Sequence, residues 1–201
     1  MFFDPPLLLP KTTLLTSGHL MYFCVTEQLD FQYYIKEFDL PDTLNSYFIL
    51  VTLHIWLCTV RLANQGSEGE IVRNSMVEIM WSDIEEKGKN LVQSKASTSV
   101  RQALEKYNNT LLYMFLSLDE GLLSDDKTLA GAVWRTIYEQ RDNVDPEKIE
   151  LLVYYIRKQV HHIERIDSFK LLSKGVVQFL NIHGDKVNDR FLRMAKQQQK
   201  L

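Results

Sequence analysis

Asp119, Glu120, Asp125 and Asp126 place four carboxylates within eight residues, and the first chemistry such a cluster suggests is calcium binding. An EF-hand loop needs oxygen ligands at positions 1, 3, 5 and 12, with glycine at position 6. Counted from Asp119, position 3 is Gly121 and position 5 is Leu123, so the spacing does not build a calcium loop. Helix capping accounts for part of the charge. Ser124 can N-cap the following helix through its hydroxyl, and Asp125 and Asp126 then sit in the first turn, where the helix dipole favours negative charge. Asp119, Glu120, Leu122 and Leu123 have no such role. Two leucines on an acidic, glycine-broken turn are either tucked beneath the fold or offered to a partner. Asp119, Glu120, Leu122, Leu123, Asp125 and Asp126 are therefore the candidate client or partner surface.

The remaining reactive side chains do not converge. His161 and His162 are adjacent, so on a helix they point about 100° apart, where chelation wants i and i+4. Arg157 and Arg165 flank His161 by one turn on either side and make the place cationic. His54 lies inside an apolar run and reads as a core histidine with its ring nitrogens satisfied. Cys24 and Cys58 lie in apolar segments, with neither metal spacing nor a disulfide framework. There is no glycine-rich phosphate loop, no HExxH and no GxSxG. The expectation is of no catalytic, cofactor-binding or metal-ligating residue, no cofactor and no enzymatic activity; a small helical enzyme is the remote alternative.

These residues must be positioned by a chain of 201 residues that is 45% apolar and 24% charged, the composition of an ordinary soluble globular protein. Almost every long segment has helical period, and no alternating strand or hairpin signal stands out. Helices are expected over about 17–28, 30–38 and 42–65. A Ser67/Glu70 capping box opens the next, which Gly88 ends. After a polar loop at 93–99, the stripe Val100, Leu104, Tyr107, Leu111, Phe115 and Leu118 marks a helix whose apolar surface is widened by Leu112, Tyr113 and Leu116. Such a helix packs on more than one neighbour or keeps an apolar face for a partner. In the helix after the acidic turn, Leu129, Ala130, Val133, Trp134 and Ile137 form one stripe. Ala130, Gly131 and Ala132 offer a place for close helix approach. Asp145 caps a helix over about 146–166 with Pro146 at its first position, and Asp185–Met194 can form a short amphipathic helix. Trp56, Trp81 and Trp134 fall at core positions of three helices.

The run Tyr47–Val60 has 14 apolar-dominated residues, short of the roughly 20 that a membrane span needs, so it reads as the central core helix. The expected fold class is all-α: a single compact multi-helix domain of about six to eight helices without repeats. Residues 1–16 are an extended or disordered lead-in, 17–180 the helical domain and 181–201 a polar, mildly basic tail. The start, MFFDPPLLLPK, is a poor secretory signal and a poor transit peptide, with an acid, three prolines and no arginine. From residue 141 onward, twelve basic face eight acidic side chains. Arg190, Arg193 and Lys196 therefore support an alternative reading as a ribosome- or RNA-facing adaptor.

Five stretches together resemble the ubiquinol–cytochrome c chaperones: LPDTLNSYF (40–48), LHIWLCTVRL (53–62), MWSDIEEKG (80–88), DEGLLSDDKTLAGAVWRTIY (119–138) and DPEKIELLVYYIRKQV (145–160). The 119–138 block is the most specific. The resemblance implies an all-helical, non-enzymatic assembly factor of respiratory complex III. It implies a mitochondrial protein, peripheral to the matrix side of the inner membrane, with no transmembrane helix. It would bind newly made cytochrome b together with a small helical partner, near the exit tunnel of the mitochondrial ribosome. It also implies a targeting extension, which is not recognisable in this chain.

Overall fold

Pro10 leads directly into a helix. Pro10 is the N-cap of α1 (Lys11–Gln28), so Lys11–Thr16, expected to be extended, is helical. A proline ahead of the first turn removes no helical hydrogen bond, because the first N–H groups of a helix have no partner within it. The computed structural model describes the backbone of residues 8–91 and 97–187, and the side chains of 8–87 and 107–187. After α1 come α2 (Phe31–Glu37), α3 (Leu44–Leu62), a 3₁₀ turn (Ala63–Gln65), α4 (Gly66–Leu91), α5 (Ser97–Leu122), α6 (Asp126–Thr136), α7 (Pro146–Glu164) and α8 (Ser168–Lys174). The fold is all-α, and the one β-type pairing among the described residues is an isolated bridge between Leu180 and Val187.

Several boundaries differ from the sequence expectation. α4 starts at Gly66, so Ser67 lies inside its first turn rather than capping it, and Glu70 lies in the following turn, where it pairs with Arg73 at 3.4 Å. Gly88 does not end α4, which continues to Leu91. α5 runs on to Leu122 instead of stopping near Leu118. Asp185 is not helical, because the chain is then turning toward the Leu180–Val187 bridge. The rest of the expected 185–194 helix, with Arg190, Arg193 and Lys196, lies outside the described residues, as does most of the expected 93–99 loop.

α3 is the apolar run, and it is enclosed: Phe48, Leu50, Val51, Leu53, Ile55 and Trp56 have no exposed surface. The continuous helical stretch Leu44–Lys87 is long and apolar enough to cross a membrane by length and composition, but 83% of its most apolar window is buried in the protein. Burial of that kind is the mark of a core helix.

The contacts group into two units. The first takes residues 1–31, 53–80 and 158–201. Here α1 crosses α4 where Gly18 has no room for a side chain: a Cβ would stand 2.6 Å from the Val72 carbonyl oxygen. The Ser75 hydroxyl donates to the Leu15 carbonyl at 3.0 Å beside it. The Ser17 hydroxyl donates to the Leu172 carbonyl of α8 at 2.7 Å. An extended strap, 176–187, closes this unit. Its backbone is satisfied by helix side chains: Gln28 Nε2 donates to the Val177 carbonyl (2.7 Å) and Gln159 makes paired bonds with Leu180 (2.8 and 3.1 Å). Lys158 Nζ donates to the carbonyls of Asn181, Ile182 and Gly184 at 2.8–3.0 Å.

The second unit takes residues 32–52 and 81–157. Its centre is aromatic. Tyr34, Phe38 and Tyr155 meet edge to face, with centroids 5.7–5.8 Å apart, a favoured arrangement for ring quadrupoles. The Tyr34 and Tyr155 hydroxyls share a hydrogen bond of 3.1 Å, and the Tyr138 hydroxyl donates to the Phe38 carbonyl at 2.9 Å. Burial pushes the Tyr155 phenol well above its ordinary pKa. The candidate surface belongs to this unit.

Candidate functional site

α5 is amphipathic twice over. Tyr107 stacks on Phe48 of α3 with centroids 4.4 Å apart, and Leu111, Met114 and Leu118 are buried on the same side. The other side carries the leucines that the core has no use for. Leu112 is 59% and Leu116 71% exposed, with Tyr113 exposed beside them. Val100 and Leu104, the first two positions of the expected stripe, lie outside the described side chains. The described residues show both alternatives posed by the sequence: α5 packs on α3 through Tyr107 and on α6 at Gly121, and it also keeps an open apolar face.

The acidic block is shorter as a turn than the sequence suggests. Asp119, Glu120 and Leu122 belong to the last turn of α5, and the Leu123 N–H still donates to the Asp119 carbonyl at 3.1 Å. Leu123 is therefore carried on the same helical path, where it is 88% exposed. Leu122 is half-buried. The two leucines that the sequence grouped together thus face different surroundings. α6 is capped by Asp125, not Ser124. The Asp125 carboxylate accepts from the Thr128 N–H at 2.8 Å and from the Thr128 hydroxyl at 2.7 Å. One carboxylate oxygen takes two donors there, a role open to a serine hydroxyl at 124 only if the helix began one residue earlier. These bonds, the backbone one foremost, hold the Asp125 carboxyl below its ordinary pKa.

What fixes the turn is a residue that the sequence pattern placed elsewhere, beside His161. Arg157 of α7 reaches across to the end of α5. Its Nη1 donates to the Leu122 carbonyl at 2.6 Å, and its Nη2 donates to those of Ser124 (2.9 Å) and Gly121 (3.3 Å). Its Nε donates to the Asp126 carboxylate at 3.0 Å. The last carbonyls of a helix lack intrahelical donors and carry the negative end of its dipole, so a guanidinium fork suits the place. Gly121 completes the joint. A Cβ there would stand 2.8 Å from Leu129 Cα and 2.9 Å from Leu129 Cδ1, so α5 and α6 meet backbone against side chain. Close approach was expected at Ala130–Gly131–Ala132 instead. Ala132 is buried, but a Cβ on Gly131 would meet only the tip of Arg135, at 3.2 Å.

Beside this joint, an open groove of about 640 Å³ runs between α6 and α7, lined by Ala130, Ile149, Val153 and Tyr154, with Asp126 and Arg157 also on its wall. Trp134, expected in the core, stands at 36% exposure with its ring N–H donating to the Arg141 carbonyl at 3.0 Å. Its stripe neighbours Leu129 and Val133 face inward and take the core volume in its place. Trp81 is half-buried beside Phe48, at 6.2 Å between ring centroids, and Trp56 is fully enclosed.

The residues considered for catalysis are dispersed. His54 is buried, edge-on to Phe179 at 4.9 Å. His162 hydrogen-bonds the Gln178 carbonyl at 3.0 Å, and burial lowers its pKa. His161 lies 2.6 Å from Arg165 Nη2 and so acts as an acceptor. Burial raises the pKa of both cysteine thiols. Among the described residues, no three His, Cys, Asp or Glu side chains gather in a metal-binding group.

Known proteins share both the sequence and the fold. Residues 36–179 match the family described as ubiquinol-cytochrome C chaperone. The chain is 36% identical over 177 residues to ubiquinol-cytochrome-c reductase complex assembly factor 1 of Xenopus laevis, covering 88% of this chain and 87% of that one. It is 35% identical over 179 residues to the Mus musculus protein of that name, covering 89% of this chain and 60% of the relative. It is also 30% identical over 153 residues to the mitochondrial protein CBP3 of Saccharomyces cerevisiae, covering 72% of this chain and 46% of that one. The chain thus spans three fifths or less of the length of the mouse and yeast relatives. The crystal structure of the Cbp3 homolog from Brucella abortus shares the fold, with a TM-score of 0.63 at 15% identity, covering 88% of this chain and 93% of that one.

Proposed function

This chain belongs to the ubiquinol–cytochrome c chaperone family, and from that premise we propose that it is an assembly chaperone of mitochondrial respiratory complex III. In this reading it acts peripherally on the matrix side of the inner membrane. There it holds newly synthesised cytochrome b in concert with a small helical partner, close to the mitochondrial ribosome. It acts by binding, with no bond made or broken by the protein's own side chains.

The observation that carries the reading is the exposed leucine face of α5, continued by Leu123. A protein with a well-filled core has little reason to hold large aliphatic side chains in water along about three helical turns, and a contiguous apolar patch of that kind marks an interaction surface. A membrane-protein client before insertion offers the complementary apolar area. Arg157 and Gly121 then fix the end of α5, so that Leu123 and the carboxylates keep their register with Leu112 and Leu116. The test is affinity isolation of the full chain from mitochondria followed by mass spectrometry. Cytochrome b and a small helical protein are expected above a tagged-control background; recovery of neither would remove the chaperone reading.

A further inference from the structure

The last turn of α3 buries a cation that the fold leaves without an anion. Arg61 is 8% exposed. Its Nη2 donates to the Ile166 carbonyl at 2.9 Å and to the Ser168 hydroxyl oxygen at 2.8 Å. Its Nε, on the same edge of the guanidinium as Nη2, is buried and meets no acceptor. Among the described residues, no carboxylate forms an ion pair with Arg61. The carbonyl end of α3 offers only partial negative charge, and a buried ionised group without a full partner is unfavourable. Asp167, the acid beside this corner in sequence, is engaged elsewhere: its carboxylate caps α8 by accepting from the Lys170 N–H at 2.9 Å. The Ser168 oxygen is therefore the side-chain atom already placed against the guanidinium, and it is one that can gain charge.

We propose that Ser168 is a phosphorylation site whose phosphate is bound by Arg61. The phosphoryl group comes from ATP through a serine kinase. The bond from Oγ to the γ-phosphorus forms, the bond from that phosphorus to the ADP oxygen breaks, and the hydroxyl proton passes to the kinase's base. Ser168 is half-buried, with Asp167, Phe169 and Lys170 exposed around it. Residues 165–167, between α7 and α8, are not helical, so an enzyme can take up the segment without unwinding α7. Arg165, exposed three residues before the serine, and Lys170, exposed two after it, give the segment basic flanks that suit an acidic cleft. The phosphate brings a charge of about −1.5 to −2 and three acceptor oxygens. Two of them match the Nε–Nη2 edge, the bidentate geometry that a guanidinium favours. The corner between α7 and α8 is then tied by charge to the end of α3. α8 itself is already joined to α1 by the bond from Ser17 to the Leu172 carbonyl.

The probe is the full chain with phosphoserine placed at position 168, beside the unmodified chain. The phosphorylated chain should unfold at a midpoint higher by about 2 °C or more. Phosphorus NMR should show the second ionisation of its phosphate below the ordinary value of about 6, returning there when the same chain is unfolded in urea. Arg61→Lys keeps the charge and removes the fork, so both effects should shrink in that background by about half or more. If Arg61→Lys does not fold, the comparison of folded with urea-unfolded phosphorylated chain still reads the pairing. Mass spectrometry of the chain from mitochondria lysed with phosphatase inhibitors should find phosphate on Ser168. A phosphoserine that lowers the midpoint, a phosphate ionising at its ordinary value in the folded chain, or a mitochondrial chain without phosphate on Ser168 would each overturn the proposal. So would inorganic phosphate that stabilises the unmodified chain as much as phosphoserine does and loses that effect in Arg61→Lys, since the site would then serve a free anion. The chaperone reading is decided separately, by the level of complex III after deletion of the chain.

Discussion

Arg157 illustrates how one side chain sets the geometry of a surface that it does not itself present. Its guanidinium holds two carbonyls at the end of α5, that of Ser124 in the turn after it, and the first carboxylate of α6, and with them the direction in which Leu123 leaves the helix. Arg157→Ala is expected to lower stability by about 1–2 kcal/mol, the scale of lost hydrogen bonds from a charged donor at a partly exposed site. It should also raise amide exchange selectively at residues 121–126. Arg157→Lys should restore little, since a single ammonium cannot reproduce the fork. Denaturant unfolding with hydrogen-exchange mass spectrometry reads both effects, and unchanged exchange at residues 121–126 in Arg157→Ala would show that the arginine is no clamp. The role is invisible in sequence because the acceptors are mostly backbone carbonyls, which every residue has. The cap one residue downstream of the expected Ser124 has a similar origin. Ser124 and Asp125 are both good N-caps, and the choice depends on Thr128, whose N–H and hydroxyl both reach Asp125.

At the scale of elements, the decisive contact is the α5–α6 joint. Gly121 is held against Leu129 with no room for a methyl group, whereas Gly131 sits in the interior of α6 with only the tip of Arg135 near. Gly121→Ala should therefore destabilise by about 1–3 kcal/mol through overpacking. Gly131→Ala should be neutral or stabilising by about 0.5–1 kcal/mol, as expected where glycine is replaced inside a helix. Chemical denaturation of the two variants side by side checks the pair, and equal effects would mean the joint is misplaced. The helices themselves were legible from periodicity because their apolar stripes repeat at helical spacing. The choice between two glycines was not, since close approach depends on how helices cross rather than on local composition. The strap at 176–187 was missed for a related reason. Its backbone is satisfied by Gln28, Lys158 and Gln159 from helices distant in sequence, so it carries no pattern of its own.

For the whole molecule, the division of labour is between a filled interior and one helix with two apolar stripes. α3 and the aromatic cluster of Tyr34, Phe38 and Tyr155 absorb the chain's most apolar segments, so the apolar run Tyr47–Val60 is enclosed, as its length suggests. α5 buries its Leu111, Met114 and Leu118 stripe and keeps Leu112 and Leu116 outside. The surplus of apolar positions on this helix was readable in the sequence; which of them face water was not, because both stripes have helical period. The acidic block was readable as a surface in the same limited way. Asp119, Glu120, Asp125 and Asp126 are all exposed, while Leu122 turns half inward and Leu123 outward. The measurement that bears most directly on the central claim uses Leu116→Asp combined with Leu123→Asp in the full chain. Both sites are exposed, so the unfolding free energy should change by no more than about 0.5 kcal/mol. In mitochondria given a short pulse of radiolabelled amino acids, the labelled cytochrome b recovered with the chain should fall about tenfold or more relative to wild type. Recovery equal to wild type, from a variant that is folded and present at the same level, would contradict the assignment of this face as the binding surface.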